Sequence, residues 1–192
     1  MSEWFDIVDE NGQPTGETVE REYAHSNGIR HRTAHLWLLR VKNGKIQILL
    51  QKRAAHKDSY PGCYDISSAG HIPAGVDYKP SAIRELKEEL GIDAKESDLI
   101  FCGDRQIIAD AFFHGKPFHD RQYSRVFIMW LDIPEDEFCV DPNEVESVCW
   151  MDFDRCCHGV ENNLFPNCIV PEELNIIQNA LGKTGFGTCN QL

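Results

Sequence analysis

The sequence predicts an α/β fold in which helices cover a mixed β-sheet. Three observations predict it: two pairs of β-prone runs each flank an Asn-Gly dipeptide, one segment has clear helical periodicity, and more strand-like runs follow that segment. The chain has 192 residues, of which 42% are hydrophobic, which is enough apolar material for one core. We therefore expect a single domain over residues 1–182.

Two hairpins open the sequence. Residues 4–8 and 15–19 are short β-prone runs on either side of an Asn-Gly dipeptide, which is a strong hairpin signal. We expect this hairpin to form an N-terminal extension over residues 1–30. Residues 34–41 and 45–51 flank a second Asn-Gly, and their density of apolar side chains predicts central strands of the sheet.

Two helices are predicted to cover the sheet. The first spans residues 78–90, where Asp77 is a suitable cap and Pro80 lies in the first turn. The second begins at Pro171, carries apolar residues on one face and ends near Gly182. Further strands are predicted at residues 99–103, 106–111, 122–131 and 145–151, and a mobile tail at residues 183–192.

The formal net charge of −12 limits the classes of partner. A negative chain disfavours loose nucleic-acid binding, which needs a basic face, and it repels an anionic small molecule unless a cation intervenes. No apolar run approaches the ~20 residues that span a bilayer. The first residues lack a secretory signal, and the eight cysteines, without metal or redox spacing, are interpreted as reduced thiols. We therefore expect a cytoplasmic protein without nucleic-acid or membrane partners.

Three glutamates follow helical spacing near the end of the first helix. Glu85 lies three residues before Glu88 and four before Glu89, so the carboxylates project from one side. A solvated acidic face is the simplest interpretation of such spacing. However, Glu88 and Glu89 lie just before Gly91, at the helix end where the dipole disfavours negative charge. Clustered carboxylates suit Mg²⁺, which binds a few of them and completes its shell with water and phosphate oxygens.

The glutamates belong to a longer pattern over residues 70–92. Its defining residues are Gly70, Arg84, Glu85, Leu86, Glu88, Glu89, Gly91 and Ile92. The segment resembles the box of the Nudix hydrolases, with which it agrees at eight of nine constrained positions. The departure is Val76, where the family has a glutamate that supports the loop and the outer metal shell. The resemblance implies an α/β/α sandwich, here with a mixed β-sheet, and metal-assisted hydrolysis of a diphosphate linkage.

The resemblance also implies roles for individual residues. Glu88 and Glu89 would be the main ligands of Mg²⁺ or Mn²⁺, with the Ala69 carbonyl as a backbone ligand. Glu85 would be a further ligand or a water activator, and Arg84 would orient the carboxylates. Glu85, Glu88 and Arg84 are therefore candidate catalytic residues.

Polar residues outside the box are further candidates. Lys52 and Arg53 follow a predicted strand and could bind substrate phosphates, although a solvated strand end is an equally good interpretation. In the family, a loop acid before the last strand can serve as general base, which favours Glu144 or Glu146 over the solvated acids around them. We take Glu144 as the candidate base and His71 as a candidate substrate-binding residue.

Two alternatives from other functional classes stay open. The opening segments also resemble isopentenyl diphosphate isomerase, a relative with the same fold that binds a metal through histidines matching His25, His31 and His71. Ala69 stands where that enzyme has its catalytic cysteine and Gln122 near a catalytic glutamate, so proton transfer to an alkene is disfavoured. We therefore interpret the three histidines as structural or substrate-contacting. The other alternative is a non-catalytic nucleotide-binding module.

The predicted reaction is cleavage of a diphosphate linkage in a nucleoside diphosphate linked to another moiety, by water activated by a divalent metal. The partner is a small-molecule diphosphate, whose identity depends on loop geometry rather than on the fold. Phe112, Phe113 and Phe118 are expected to fill the core rather than to stack on a base. The chain is expected to act as a monomer or homodimer.

Overall fold

The computed structural model describes residues 2–113 and 115–183. The strands are β1 (Trp4–Val8), β2 (Pro14–Glu20), β3 (His31–Lys42), β4 (Lys45–Arg53), β5 (Tyr64–Asp65), β6 (Ser68–His71), β7 (Ile100–Phe113), β8 (Lys116–Trp130) and β9 (Val145–Asp152). The helices are α1 (Arg21–Asn27), α2 (Tyr78–Leu90), α3 (Phe153–Glu161) and α4 (Pro171–Lys183). Short 3₁₀ turns lie at Glu96–Asp98 and Glu135–Glu137.

Seven of the described strands form the central sheet. Its order is β5-β4-β3-β8-β7, with β6 also paired to β3 and β9 to β4. Strands β3 and β8 run parallel, whereas the other pairs in the sheet are antiparallel. Strands β1 and β2 form a separate antiparallel hairpin. These pairings confirm the predicted mixed sheet and N-terminal hairpin.

The sheet carries helices on both faces because neighbouring residues of a strand point to opposite sides. On one face, Leu36 and Leu38 of β3 pack in a buried cluster with Leu86 of α2. On the other face, Trp37 of β3 packs in a cluster with residues of α3 and α4, including Ile177. The resulting α/β/α sandwich is the predicted fold class, and it places α2 in contact with β6.

Helix α2 spans the predicted residues and has the predicted ends. The Asp77 side chain accepts a hydrogen bond from the backbone N–H of Tyr78. Gly91 ends the helix in the left-handed region with φ 72°, where a β-carbon would lie 2.5 Å from Cys139 Cβ. The backbone N–H of Cys139 donates to the Leu90 carbonyl. The acidic connection after β8 therefore supplies a hydrogen-bond donor for a backbone carbonyl at this end of the helix.

The N-terminal extension, predicted as a hairpin over residues 1–30, also contains a helix that the sequence analysis missed. Helix α1 follows β2, and the Glu20 side chain caps it by accepting hydrogen bonds from the backbone N–H groups of Glu22 and Tyr23. Gly28 ends the helix in the left-handed region with φ 64°. A helix of seven residues is too short for its periodicity to be recognised in the sequence.

The predicted strands over residues 99–103 and 106–111 are one strand, β7, with an irregularity between Phe101 and Gly103. Its partner β8 begins at Lys116, earlier than predicted. The residues added at the start of β8 are largely polar and lack the apolar pattern on which the prediction depended. They form a strand because the backbone groups of β7 and β8 hydrogen-bond to each other. Helix α3 was also not predicted.

Helix α4 begins at Pro171 as predicted and continues one residue past Gly182 to Lys183. The rest of the predicted tail, residues 184–192, lies outside the described residues. None of the described helices combines the length and the apolar character needed to cross a bilayer. The cysteines within the described part of the chain are free thiols, as the sequence predicts.

Candidate functional site

Strand β6 and helix α2 meet at Gly70 and Glu85. A β-carbon built on Gly70 would lie 2.1 Å from the carboxyl carbon of Glu85, so any larger residue would displace that side chain. Glycine therefore lets the Glu85 carboxylate lie directly against the strand. Ala69, the candidate backbone ligand, precedes Gly70 in the same strand and pairs with His35 of β3. The predicted metal-binding groups of β6 and α2 thus lie at one junction.

Arg84 joins two of the carboxylates to the end of β6. Its Nη2 donates to Glu85 Oε1 at 2.6 Å, and its Nη1 donates to Glu88 Oε2 at 2.9 Å. Nη2 also donates to the carbonyl oxygen of His71 at 3.3 Å. The planar guanidinium has the several donors that this three-point contact requires. Arg84 thus holds Glu85 and Glu88 relative to β6.

The three glutamates of α2 differ in exposure and in proton affinity. Glu89 is 8% exposed, whereas the Glu88 side chain is 57% exposed. Burial raises the pKa of Glu89 to about 8; the Ser68 hydroxyl opposes this shift, and the charges of Glu85 and Glu144 add to it. Burial also raises the pKa of Glu85 to about 7, although Arg84 opposes the shift. Glu85 and Glu89 are therefore held where their charged forms are disfavoured.

A divalent cation fits this set of donors. Glu89 Oε2 is buried and has no hydrogen-bond partner among the described residues, which is unfavourable unless another group binds it. Glu85 and Glu88 supply further carboxylate oxygens, and hard cations prefer oxygen ligands. A positive charge would also offset the repulsion between the carboxylates. The residues present are therefore compatible with a divalent-cation site.

Glu144 lies in the connection between β8 and β9, near this centre. The Lys57 side chain forms an ion pair with its carboxylate, and the Ala54 N–H donates to its carbonyl at 3.0 Å. In the same connection, the N–H of Asp141 donates to the Glu89 carbonyl at 2.9 Å. The structure therefore attaches the acidic connection to the end of α2 and pairs the candidate base with a lysine.

Lys52 and Arg53 lie at the end of β4, and both form ion pairs within the chain. Lys52 Nζ lies 2.6 Å from Glu146 Oε1. Arg53 Nη1 lies 3.0 Å from Asp65 Oδ2, and the same guanidinium donates to the Ser59 carbonyl and hydroxyl. A substrate phosphate would have to compete with these oxygens for the two cations.

The chain is similar to proteins of one known family. The family model described as the NUDIX domain matches residues 29–166. The chain belongs to the NUDIX family. An uncharacterized Nudix hydrolase of Clostridium acetobutylicum is 34% identical over 162 residues, which cover 84% of this chain and 76% of that protein. Nudix hydrolase 3 of Arabidopsis thaliana is 35% identical over 159 residues, which cover 80% of this chain but 20% of that protein.

A solved structure agrees with the Nudix fold described above. The crystal structure of a Deinococcus radiodurans protein has a TM-score of 0.64 and 17% identity, and the match covers 91% of this chain and 98% of that chain. At this identity the likeness shows the fold alone. The family match and the relatives confirm the predicted Nudix hydrolase, and Nudix hydrolases generally use divalent metal ions.

His71 of this Nudix chain is half-buried and clusters with the buried His25 and His31, with ring centroids 4.9, 5.1 and 5.2 Å apart. The Nε2 atoms of the three rings have no hydrogen-bond partner among the described residues. Their candidate ligand atoms lie within 4.8 Å of one another. Burial lowers the pKa of each ring, that of His31 to about 4. The cluster therefore contains neutral imidazoles at neutral pH.

The structure brings other residues to the Nudix centre that the sequence analysis did not single out. Asp65 pairs with Arg53, and its charge adds to the effect of burial on the pKa of Glu89. Asp6 and Arg32 bond to each other and to the connection before α2. These residues come from separate segments and have no diagnostic spacing, so the sequence carries no signal for them.

The phenylalanines near the tip of the β7–β8 hairpin do not all fill the core. Phe112 is 69% exposed, which contradicts the prediction, because it lies near the end of the β7–β8 hairpin and belongs to neither buried cluster on the faces of the sheet. The Phe118 ring stacks on the His25 ring with centroids 4.4 Å apart. The Phe113 side chain lies outside the described part of the structure.

Proposed function

We propose that the carboxylate centre of α2 cleaves a diphosphate linkage in a nucleoside diphosphate linked to another moiety, with Mg²⁺ or Mn²⁺ as the cation. The observation that carries the proposal is the buried oxygen of Glu89, which has no hydrogen-bond partner among the described residues and lies beside the largely buried Glu85. Such oxygens have a high affinity for a hard cation. Membership in the NUDIX family supports the same reaction class.

Glu85, Glu88, Glu89 and the Ala69 carbonyl would hold the cation. When bound, the cation supplies a Lewis acid that stabilises negative charge on phosphoryl oxygens and lowers the pKa of water. Arg84 keeps Glu85 and Glu88 in place through its hydrogen bonds to both carboxylates. Its third hydrogen bond, to the carbonyl at the end of β6, ties that orientation to the strand.

Glu144 is the proposed general base, and Lys52 and Arg53 are the proposed phosphate-binding residues. An ionised carboxylate only accepts hydrogen bonds, so Glu144 can take a proton from the attacking water. Its ion pair with Lys57 holds the carboxylate in one orientation. Lys52 and Arg53 would exchange their present carboxylate partners for phosphate oxygens, to which arginine can bind through two donors at once.

A hydrolysis assay tests the proposal. The full chain is incubated with Mg²⁺ or Mn²⁺ and a panel of nucleotide sugars, dinucleoside polyphosphates, nucleoside triphosphates and prenyl diphosphates. We expect metal-dependent cleavage of a nucleoside diphosphate derivative. Glu88→Gln should lower kcat by at least ~10²-fold, because it removes a carboxylate ligand and the assistance that depends on it. The matched control is Glu172→Gln, an exposed glutamate of α4.

Each failure of the assay has a distinct meaning. Wild-type turnover by the Glu88→Gln variant would contradict the assignment of the carboxylate centre. Isomerisation of a prenyl diphosphate without phosphate release would favour an isomerase-like enzyme instead. Tight nucleotide binding without any metal-dependent cleavage would favour a binding module.

We also propose that residues 1–182 act as a single cytoplasmic domain, as a monomer or homodimer. The free cysteines in the described residues support a reducing compartment. The two buried clusters share strand β3, through Leu36 on one face and Trp37 on the other, which supports one cooperative unit. Light scattering after size-exclusion chromatography measures the mass in solution, and a single denaturant transition would support one domain.

A second proposal concerns the histidine cluster. We propose that His25, His31 and His71 bind a transition-metal ion such as Zn²⁺, in place of the structural or substrate-contacting role inferred from the sequence. The Nδ1 atoms of His25 and His31 lie 2.9 Å from the carbonyl oxygens of Arg21 and Ile29. Because a carbonyl only accepts, Nδ1 carries the proton and Nε2 keeps a free lone pair. Imidazole nitrogens favour Zn²⁺ over Mg²⁺, so the two centres differ in cation preference.

Co²⁺ titration tests the histidine site in the presence of excess Mg²⁺, which occupies oxygen ligands. We expect the wild-type chain to show the visible absorption of nitrogen-bound Co²⁺. In His31→Gln, the affinity for Co²⁺ should fall at least ~10²-fold, and the absorption should be lost. His56→Gln, an exposed histidine, is the matched control. A wild-type measurement avoids any folding defect: Zn²⁺ should shift the imidazole Nε2 resonances of the three histidines. Unchanged resonances would reject the site.

A further inference from the structure

Residues 73–76 connect β6 to α2 and lie beside strand β1 of the N-terminal hairpin. Phe5 and Pro73 form an antiparallel bridge. The backbone N–H of Ala74 donates to the Trp4 carbonyl at 2.8 Å. The connection that precedes the carboxylate helix is therefore attached to a segment that lies outside the Nudix box and outside the family match, which begins at residue 29.

Asp6 and Arg32 add a buried ion pair to this attachment. Arg32 Nη2 donates to Asp6 Oδ2 at 2.7 Å and to the Val76 carbonyl at 2.8 Å. The N–H of Gly75 donates to the same Asp6 oxygen at 3.0 Å. The side chains of Arg32 and Asp6 are 8% and 16% exposed, so water competes weakly with these charged hydrogen bonds. We call Asp6 and Arg32 the loop brace.

The loop brace supplies a carboxylate that the connection itself lacks. Val76 is apolar and packs against the buried cluster beneath α2, so its side chain cannot accept a hydrogen bond. Asp6 provides that acceptor from β1 instead, and Arg32 provides the donor for the Val76 carbonyl from β3. The conformation of the connection in this chain therefore depends on the N-terminal hairpin.

The connection determines how α2 lies against β6. Glu85 of α2 is packed on Gly70 of β6 so closely that an added β-carbon would lie 2.1 Å from its carboxyl carbon. The Arg32 guanidinium also lies 5.3 Å from the ring centroid of Tyr78, the first residue of α2. Because the helix moves as a unit, a shift at its first turn would carry Glu85 and Glu89 away from β6.

We infer that Asp6 and Arg32 are positioning residues of the carboxylate centre. By holding residues 73–76, they maintain the spacing between α2 and β6 on which cation affinity depends. The inference rests on the proposed function, which assigns a divalent cation to the carboxylate centre. It assigns to the N-terminal hairpin a role in the site.

Asp6→Asn tests the loop brace, because asparagine keeps the shape of the side chain but removes its charge. We expect Mn²⁺ affinity, measured from the electron paramagnetic resonance signal of free Mn²⁺, to fall about 10-fold, the scale found when a supporting residue of a metal site is lost. Amide hydrogen exchange at Ala74 and Gly75 should become faster. At saturating Mn²⁺, the substrate KM should stay unchanged. Arg32→Lys keeps the charge but lacks the planar fork, so it should act in the same direction.

The matched control is Glu17→Gln, which neutralises an exposed glutamate on strand β2 of the same hairpin. It should leave Mn²⁺ affinity within about twofold of wild type. Circular dichroism establishes that each variant is folded. Wild-type Mn²⁺ affinity and wild-type exchange at Ala74 and Gly75 in Asp6→Asn would overturn the inference, as would an equal loss in Glu17→Gln. A wild-type chain that binds Mn²⁺ but cleaves none of the substrates would reject the proposed reaction and leave this inference standing.

Discussion

The indole Nε1 of Trp37 donates a hydrogen bond of 2.8 Å to Glu173 Oε1 and so joins the central strand β3 to helix α4. Glu173 is buried and also bonds to His35 at 3.0 Å and to Arg105 at 2.9 Å. Trp37 lies on the sheet face opposite α2. This network therefore affects the stability of the sandwich separately from the carboxylate centre.

Glu173→Gln should destabilise the fold by about 3–5 kcal/mol, the range for breaking a buried ion pair. Glutamine keeps the volume of the side chain but leaves Arg105 without its counter-charge. Urea unfolding followed by tryptophan fluorescence measures the change in the free energy of unfolding. The exposed neighbour variant Glu172→Gln should change it by less than about 0.5 kcal/mol. Equal losses in the two variants would contradict the role of the network.

Acid should weaken the fold through the same residue. Burial raises the pKa of Glu173. This effect is outweighed by the charges of His35 and Arg105 and by the hydrogen bonds from His35 and Trp37, which together lower the pKa to about 2. The pKa of Glu173 in the folded state is below its ordinary value of 4.5. Its contribution to the free energy of unfolding is therefore present above about pH 4.5 and is lost as the pH falls toward 2. It amounts to roughly 3 kcal/mol. Unfolding free energies between about pH 6 and pH 2 should therefore fall more steeply in wild type than in Glu173→Gln, and parallel curves would refute this.

Gly70→Ala should impair the carboxylate centre without unfolding the chain. The new methyl group would overlap the Glu85 carboxyl group, which must then rotate away from β6. We expect Mn²⁺ affinity and kcat to fall at least ~10-fold, since small displacements of catalytic groups have effects of this size. In Gly182→Ala, the added β-carbon meets nothing within 4 Å, so this variant should keep wild-type values. Undiminished Mn²⁺ binding by Gly70→Ala would show that the contact is not needed.

Arg84→Lys should lower kcat about 10-fold or more while leaving the fold intact. A lysine ammonium cannot reproduce the geometry that joins Glu85, Glu88 and the His71 carbonyl to one planar group. The measurement is steady-state hydrolysis at saturating Mg²⁺, with Arg155→Lys on the exposed side of α3 as control. If both variants turned over at the wild-type rate, Arg84 would have no role in orienting the carboxylates.

The sequence by itself determined the features that depend on neighbouring residues. Asp77 and Gly91 mark the two ends of α2 because capping and left-handed backbone conformations are local properties. The spacing of Glu85, Glu88 and Glu89 placed their carboxylates on one helix face for the same reason. These local patterns, taken with the longer box, were sufficient to predict the sandwich and the family.

Only the tertiary structure decided how these residues differ and what supports them. Glu88 and Glu89 are adjacent in the chain, yet one is exposed and the other buried, because burial depends on how the helix packs against the rest of the chain. Asp6 and Arg32 reach the connection before α2 from other strands, through contacts that no sequence spacing encodes. Neighbouring residues determine local backbone geometry, whereas burial and long-range hydrogen bonds arise only when distant segments pack together.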